Sequence, residues 1–172
     1  MKRLGSLGVL VAAGAIGCGT TENLPMPKPA TITFQLHNDG ISTVYLFENC
    51  QIDFTITSLV GAPYPIAREG ACACECGQQC PVCGPCFAGP REVAIGAMET
   101  EYWNAVRVTT ETTSTGSCER RGSLPFGRYR IDVPVYPSAA DATVGTSGYT
   151  ASQTFTVSTV DAVVDVPIGA SP

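Results

Sequence analysis

The stretch that decides the fold class is TITFQLHNDGISTVYLFENCQIDFTIT, residues 31–57. From Ile32 to Leu36, apolar and polar side chains alternate, as they do in a strand with one buried face. Asn38-Asp39-Gly40 comes next, and these residue types tolerate the positive φ that tight hairpins need. We therefore expect a first strand, a tight hairpin and a second strand at 41–47.

The alternation continues through most of the chain. Cys50 has the same parity as Ile52 and Phe54, so it should point inward from a third strand. Helical periodicity is almost absent, and residues 138–148 have the small, polar composition of a mobile loop. About eight antiparallel strands with short turns indicate an all-β, immunoglobulin-like antiparallel β-sandwich, and a small barrel is the alternative. The later alternating runs are 93–97, 102–109, 129–135, 155–157 and 160–166.

The N-terminus carries the pattern of an export and anchoring signal. The cationic pair Lys2-Arg3 precedes an apolar run, 4–16, that is too short for a membrane span of about 20 residues. Ala15-Ile16-Gly17-Cys18 resembles the lipobox of bacterial lipoproteins, with Ala15 in place of the usual Leu or Val. The resemblance implies that signal peptidase II removes residues 1–17 and that Cys18 carries diacylglycerol and palmitate.

Cleavage would leave 155 of the 172 residues, enough for a single domain at 31–172 behind a lipidated, proline-rich tether at 18–30. Without Lys2-Arg3, eight basic residues face 15 acidic ones, a formal charge of −7. This charge argues against nucleic acid as a partner, and we expect membrane attachment through the lipid alone. Gly19 follows the cysteine, which is compatible with sorting to the outer membrane of the cell envelope as in enteric bacteria.

Six of the nine cysteines lie in CACECGQQCPVCGPC, residues 72–86. With Cys18 lipidated, eight remain, and an even number in an oxidising compartment predicts four disulfides. Cys50 and Cys118 lie outside the cluster, so they form the natural long-range pair. The disulfide candidates are Cys50, Cys72, Cys74, Cys76, Cys80, Cys83, Cys86 and Cys118.

The spacing inside the cluster leaves its connectivity open. The first three cysteines recur every two residues and the last three every three residues, the polyproline period. A reversal at Gly77-Gln78-Gln79 would give a nested ladder, but the two repeats drift out of register, and pairing to Cys50 or Cys118 is the alternative. We expect a disulfide-braced loop within an insert at about 58–90.

Two chemical uses of these cysteines are alternatives to a structural staple. Six thiolates at Cys72, Cys74, Cys76, Cys80, Cys83 and Cys86 would suit zinc or copper(I), although exported thiolates tend to oxidise. Cys83-Gly84-Pro85-Cys86 is similar to the thioredoxin active site, which implies Cys83 as nucleophile and Cys86 as resolving cysteine. The strand-to-helix context of that motif is missing. We therefore expect no metal and no cofactor.

A second family resemblance rests on two patterns. Glu101-Tyr102-Trp103-Asn104, followed by Leu124-Pro125-Phe126-Gly127-Arg128-Tyr129, resembles bacterial immunoglobulin-like domains, including the intracellular proteinase inhibitor (BsuPI) family. The resemblance implies a core role for Trp103, a glycine turn before the strand of Tyr129, and protease inhibition as an alternative function. The cysteines and the anchor are departures from that family.

Catalytic patterns are missing from the sequence. The single histidine, His37, precedes a turn, and no Gly-x-Ser-x-Gly occurs. The acidic pairs Glu99/Glu101 and Asp161/Asp165 alternate with apolar residues, as on solvated strand faces. We expect a lipid-anchored envelope protein without enzymatic activity, in which the braced loop has a structural or partner-binding role. The alternatives are a thiol-based metal or redox protein and a protease inhibitor.

Overall fold

The computed structural model describes residues 30–114 and 116–169, and over these residues the protein is an all-β domain. The elements are β1 (Ile32–His37), β2 (Val44–Asn49), β3 (Thr55–Ser58), β4 (Tyr64–Ile66), β5 (Ala88–Val93), β6 (Met98–Trp103), β7 (Val106–Thr113), β8 (Gly116–Ser123), β9 (Gly127–Val135), α1 (Ala139–Val144), β10 (Tyr149–Val157) and β11 (Ala162–Pro167).

The described part of the chain has eleven strands, more than the eight or so expected. The run predicted at 102–109 is divided into β6 and β7, because Ala105 takes a positive φ of 46° between them. The short β4 and the polar β8 carry too little alternation to be recognised in the sequence. The run predicted at 93–97 is also wrong in part, since β5 ends at Val93 and Ile95 lies exposed in a turn.

Two sheets build the sandwich, one in the order β11-β1-β6 and the other in the order β10-β9-β3-β4. Two ribbons, β2-β5 and β7-β8, flank them. Among the strands described, pairing is antiparallel except between β1 and β11, which run parallel with Ile32 opposite Ala162. β11 follows β10, which belongs to the other sheet, so the chain crosses between the sheets before β11 pairs with β1. This crossing, in place of a hairpin, produces a parallel pair where the sequence predicted only antiparallel strands.

Alternation along the strands places aromatic side chains between the two sheets. Phe34 on β1 meets Phe155 on β10 edge-on, with ring centroids 5.3 Å apart, and Phe54 at 5.4 Å. Trp103 is buried and lies 6.0 Å from Phe155 in the same arrangement. Each edge-to-face pair contributes about 0.5–1.5 kcal/mol beyond the burial of its area. The core role expected for Trp103 is therefore present.

A tyrosine corner marks the start of β9. Gly127 opens this strand with a φ of 149°, and the completely buried Tyr129 follows two residues later. The Tyr129 hydroxyl donates a hydrogen bond to the carbonyl oxygen of Pro125 at 2.7 Å. This contact is a hallmark of immunoglobulin-like sandwiches.

The hairpin predicted at Asn38-Asp39-Gly40 is wrong. Asn38 is completely buried, and its side-chain amide donates to the carbonyl oxygens of Ser42 at 3.0 Å and Val93 at 2.8 Å. The chain here crosses from β1 to a separate ribbon, where β2 pairs with β5. The second strand therefore begins at Val44 rather than at Ile41.

The segment predicted as a mobile loop at 138–148 contains α1. Ser138 caps its N-terminus by accepting a hydrogen bond from the Asp141 amide at 3.1 Å, and Gly145 closes it in the left-handed conformation. These are ordinary helix start and stop residues. Their small size made the segment look structureless in the sequence.

Candidate functional site

The cysteine-rich loop, residues 67–87, joins β4 to β5 and contains neither a strand nor a helix. It is shorter than the insert expected at about 58–90, because β4 pairs back onto β3. Residues 77–88 are all exposed; the side chain of Val82 is fully exposed and that of Phe87 is 56% exposed. A segment that buries so little apolar surface cannot be ordered by the hydrophobic effect. The order of this segment therefore depends on its disulfides.

Two disulfides form a nested pair inside the loop. Cys72 is bonded to Cys83 and Cys74 to Cys80, with Cα atoms 5.9 Å and 4.6 Å apart. The chain reverses at residues 77–79, which both disulfides enclose, and Gly77 takes a φ of 82° there. The pairing is shifted by one cysteine from a complete three-rung ladder, and this shift leaves Cys76 and Cys86 without a partner inside the cluster.

The two remaining cluster cysteines attach the loop to the sandwich. Cys86 is bonded to Cys50 and Cys76 to Cys118, each with Cα atoms 5.0 Å apart. The predicted Cys50–Cys118 pair is therefore wrong, and the alternative of pairing outward from the cluster is observed. Together the four disulfides account for all eight candidate cysteines.

Cys50 does not lie on a strand, contrary to the expectation from its parity. It occupies the turn after β2 with a φ of 63°, and β3 begins only at Thr55. The Cys50 amide donates to the carbonyl oxygen of Phe87 at 2.9 Å, beside the Cys50–Cys86 disulfide. This turn therefore holds the C-terminal end of the loop through both a covalent bond and a hydrogen bond.

The N-terminal half of the loop runs along β8. The Cys76 amide donates to the carbonyl oxygen of Glu119 at 3.0 Å, and the Glu119 amide donates to that of Cys74 at 2.7 Å. These bonds form a parallel bridge between Glu75 and Glu119, next to the Cys76–Cys118 disulfide. The loop thus pairs with the edge of the β7-β8 ribbon through a single residue pair.

Arginine side chains on β8 contact carboxylates both in the loop and on the neighbouring strand β7. Arg121 forms an ion pair with Glu69, and its Nη1 lies 3.9 Å from Oε2 of Glu75. Arg120 points the other way and holds Glu111 on β7 with two hydrogen bonds of 2.6 Å and 2.9 Å. The bond from Arg120 lowers the pKa of the Glu111 carboxyl. Exposed pairs of this kind contribute little stability, so they orient the loop more than they hold it.

A cleft of about 670 Å³ lies where the loop meets the sandwich, and Arg68 and Phe54 line it. The guanidinium carbon of Arg68 lies 3.6 Å from the centroid of the Phe54 ring, a cation–π contact. Nη1 of Arg68 also donates to the carbonyl oxygen of Ile52 at 3.4 Å. Burial lowers the pKa of the Arg68 guanidinium, and nearby Asp53 and Glu101 oppose this shift. Arg68 therefore seals the edge of the aromatic core beneath the loop.

Glu101 is half-buried at the same junction rather than part of a solvated face, which corrects the expectation for that acidic pair. Its Oε1 accepts a hydrogen bond from the Ile52 amide at 3.1 Å. Burial raises the pKa of the Glu101 carboxyl, while the Ile52 hydrogen bond and Arg68 act in the opposite direction. Neither Arg68 nor Glu101 gave a signal in the sequence, because each depends on a neighbour brought close only by the fold.

The other members of the predicted acidic pairs, and the histidine, lie away from the loop. Asp161 accepts the Thr31 amide at 2.7 Å at the start of β1, and Glu99 forms an ion pair with Arg91 at 3.1 Å. His37 ends β1, with its Nε2 3.4 Å from Asp165. These contacts join neighbouring strands and assemble no shared pocket.

The chemical alternatives for the cysteines meet a different geometry. Cys83 and Cys86 belong to separate disulfides, so they do not form the redox pair implied by the thioredoxin resemblance. All six cluster sulfurs are bonded to other sulfurs, which leaves none of these thiolates for a metal. Among the residues that the structure describes, Cys76, Cys118 and Glu111 bring potential ligand atoms within 4.8 Å of one another, but the two sulfurs form a disulfide.

Comparison with protein-family models, with curated proteins and with solved structures finds no match to this chain. Within residues 30–114 and 116–169, no helix combines the length and hydrophobicity needed to cross a bilayer. Cys18, the predicted signal peptide and residues 19–29 of the predicted tether lie outside the described residues. The last residue assigned to the tether, Ala30, is instead buried in the core of the sandwich.

Proposed function

We propose that this protein is a lipid-anchored protein of the bacterial cell envelope that binds a partner through the apex of its cysteine-rich loop, residues 77–86. The observation that carries the proposal is a segment that is exposed throughout yet bounded by four disulfides. The sandwich supplies the support, and no catalytic role is assigned to it.

The energetic reason is preorganisation. Ordering a flexible loop on binding costs about 0.5–1.5 kcal/mol for each immobilised side chain, and a loop that is already rigid avoids much of that cost. Val82 stands at the apex with its whole side chain exposed, between Pro81 and Cys83. An exposed aliphatic side chain on a rigid support is suited to fill an apolar pocket on a partner.

The anchoring part of the proposal rests on the lipobox-like residues that end at Cys18. Metabolic labelling with a palmitate analogue in a bacterial host should mark the wild-type chain, and the Cys18→Ser variant should remain unlabelled and unprocessed. Labelling of both chains, or of neither, would contradict lipidation at this cysteine.

The binding role is tested by site-specific photocrosslinking in the native envelope. A photoreactive residue at Val82 should give one discrete crosslinked species, whereas the same residue at Val163, an exposed valine on β11, should give none. Replacing the four cysteines of the two inner disulfides with serine should abolish the Val82 product. Equal products from both positions, or none from Val82, would count against the loop as a binding surface.

Protease inhibition is a second candidate, favoured by Val82 itself. Residues 79–87 have neither helical nor strand structure, and they leave the Val82 side chain fully exposed. A side chain of this kind fits a protease specificity pocket for small aliphatic residues. Stoichiometric inhibition of an elastase-type serine protease, lost in Val82→Asp and after reduction, would support this candidate. No inhibition at micromolar concentrations would exclude it for that protease class.

A further inference from the structure

β10 is an open sheet edge. It forms a nine-residue ladder with β9, from Tyr149 opposite Val135 to Val157 opposite Gly127. No backbone hydrogen bond joins β10 to any other element in the described part of the chain. Side chains at 150, 152, 154 and 156 are exposed, and those at 151, 155 and 157 are buried. The side of the strand away from β9 therefore offers a straight row of backbone donors and acceptors.

The other edges of the described sheets are protected in ways that β10 is not. Natural proteins blunt sheet edges with proline, charge or short length, because an open edge pairs with other chains. β4 has three residues including Pro65, and β11 contains Asp165 and Pro167. β6 carries Glu99 and Glu101. β10 reads YTASQTFTV and contains no proline and no charged residue.

The edges of the two ribbons follow the same rule. β2 carries Glu48, β5 includes a proline, an arginine and a glutamate, and β7 carries Arg107 and Glu111. β8 carries three charged side chains and is covered in part by the loop at Glu75. Strands without proline, lysine, arginine or carboxylates occur also at β1 and β3, but each of these is paired on both sides. β10 therefore stands apart from every other edge strand that the structure describes.

We propose that two copies of this chain associate through β10, which pairs with itself in antiparallel orientation about a two-fold axis at Gln153. This residue is the midpoint of the strand, so the pairing uses its full length. It sets Ser152 opposite Thr154 of the second copy, and Thr150 opposite Thr156. Cross-strand Ser and Thr pairs are favourable, and no like charges meet across the axis. The sheet continues across the interface as β4-β3-β9-β10 joined to its own copy.

A second copy is favoured over an unrelated peptide because the exposed residues of β10 are complementary to their own reversed order. The positions 150, 152, 154 and 156 hold only Thr and Ser, so reversal about Gln153 returns the same residue types. A contact between two edge strands is small, and small interfaces are weak. If the chain is lipid-anchored as proposed above, confinement to one surface would raise the effective concentration of the partner copy. The dimer itself does not depend on that anchoring or on the loop.

The test uses residues 19–172, exported and oxidised, with two charge variants. Ser152→Lys with Thr154→Lys places lysine opposite lysine twice across the axis, and the matched Glu double variant does the same with carboxylates. Each variant alone should show a dimer dissociation constant raised at least tenfold over wild type by sedimentation equilibrium. A mixture of the two in equal amounts should form a heterodimer, since each lysine then faces a glutamate. Thr100→Lys, on the exposed side of β6, is the control and should dimerise like wild type.

Each outcome decides the proposal. A wild-type chain that stays monomeric at 100-fold the concentration used for the variants, or a dimer that the charge variants leave intact, would overturn it. Separate dissociation without recovery in the mixture would overturn the antiparallel register. Hydrogen exchange of wild-type residues 149–157 needs no variant, and it should slow as protein concentration rises. Exchange that is independent of concentration would contradict the pairing even if the variants failed to fold.

Discussion

The sandwich core and the cysteine-rich loop of this protein are ordered by opposite means. In the core, Phe34 and Tyr129 are completely buried, and aromatic rings from both sheets interlock. In the loop, Val82 is fully exposed, and position is set by four disulfides. One region is held by removal of apolar surface from water, the other by covalent constraint of the unfolded chain.

This difference separates what reduction can damage from what it can spare. Reduction frees the loop directly and leaves the apolar contacts between the sheets in place. It lowers the stability of the sandwich only through the two disulfides that attach the loop to it. The junction between the two regions, at Arg68, Phe54 and Glu101, is the place where a loss in the loop can reach the core. Substitutions in the core, in the two kinds of disulfide and at the junction can therefore be ranked.

Truncation in the core should give the largest effect. Phe34→Ala removes a buried ring that contacts Phe54 and Phe155, at a cost of about 3–5 kcal/mol in the free energy of unfolding. Chemical denaturation followed by the fluorescence of Trp103, the single tryptophan, measures it. Val82→Ala is the matched control in the loop and should change stability by less than about 0.5 kcal/mol. A comparable loss for both variants would show that the Val82 side chain packs against the protein rather than being fully exposed.

The next effect comes from the two disulfides that tie the loop to the sandwich. Removing Cys76–Cys118 with serine at both positions opens a loop with a sequence separation of 42 residues, worth about 4 kcal/mol in the chain-entropy model. Removing both inner disulfides should cost less than about 1 kcal/mol in the same denaturation measurement, because the freed segment carries no part of the core. It becomes flexible in the folded as well as the unfolded variant, so the entropy of closing these short loops largely cancels. A larger loss of stability from the inner pair than from Cys76–Cys118 would contradict the view that Cys76–Cys118 ties the loop to the sandwich while the inner pair acts only within the loop.

A smaller loss is expected at the junction. Arg68→Ala removes the cation over the Phe54 ring and the hydrogen bond to Ile52, which should lower the free energy of unfolding by about 1–2 kcal/mol. Arg68→Lys keeps the charge but not the planar stack, so it should recover only part of the loss. Full recovery by lysine would show that charge rather than stacking matters at this position.

The smallest effect is a pH dependence at Glu101. Its folded-state pKa is raised, mainly by burial, so folding favours the protonated carboxyl and its contribution declines as pH rises above the ordinary glutamate value of about 4.5. Glu101→Gln retains an oxygen to accept the Ile52 amide but cannot ionise. The stability of the Gln variant relative to wild type should therefore increase between pH 4 and pH 7 in parallel denaturation curves. A difference that is flat or falls with pH would contradict the burial of this carboxyl.

Much of the fold could be predicted from local alternation. Phe34, Trp103 and Tyr129 lie in the core because their strands alternate, and the period-two pattern depends on residues close in sequence. The turn at Asn38 differs from the predicted hairpin because the Asn38 side-chain amide donates to the carbonyl oxygen of Val93, which is distant in sequence. The same limitation affected β11, whose parallel partner is fixed by the crossing between sheets.

The candidate loop was visible in the sequence, but its pairing was not. Cysteine count and compartment predict four disulfides, whereas connectivity depends on where the turn at Cys50 and the strand β8 lie in space. Counting the cysteines outside the cluster joined Cys50 to Cys118, and the fold instead sends each to the cluster. Contacts such as Arg68 over Phe54 have no signature in local sequence at all.

The central claim is that apolar burial orders the core whereas disulfides order the loop. Its most direct test is disulfide mapping of residues 19–172, exported to an oxidising periplasm and digested without reduction. Alkylation should modify none of the eight cysteines until a reductant is added. Linked peptides should then identify Cys50–Cys86 and Cys76–Cys118 as the two attachments to the sandwich. Free thiols in the native protein, or a Cys50–Cys118 peptide, would contradict a loop that is fixed at both ends by its own cysteines.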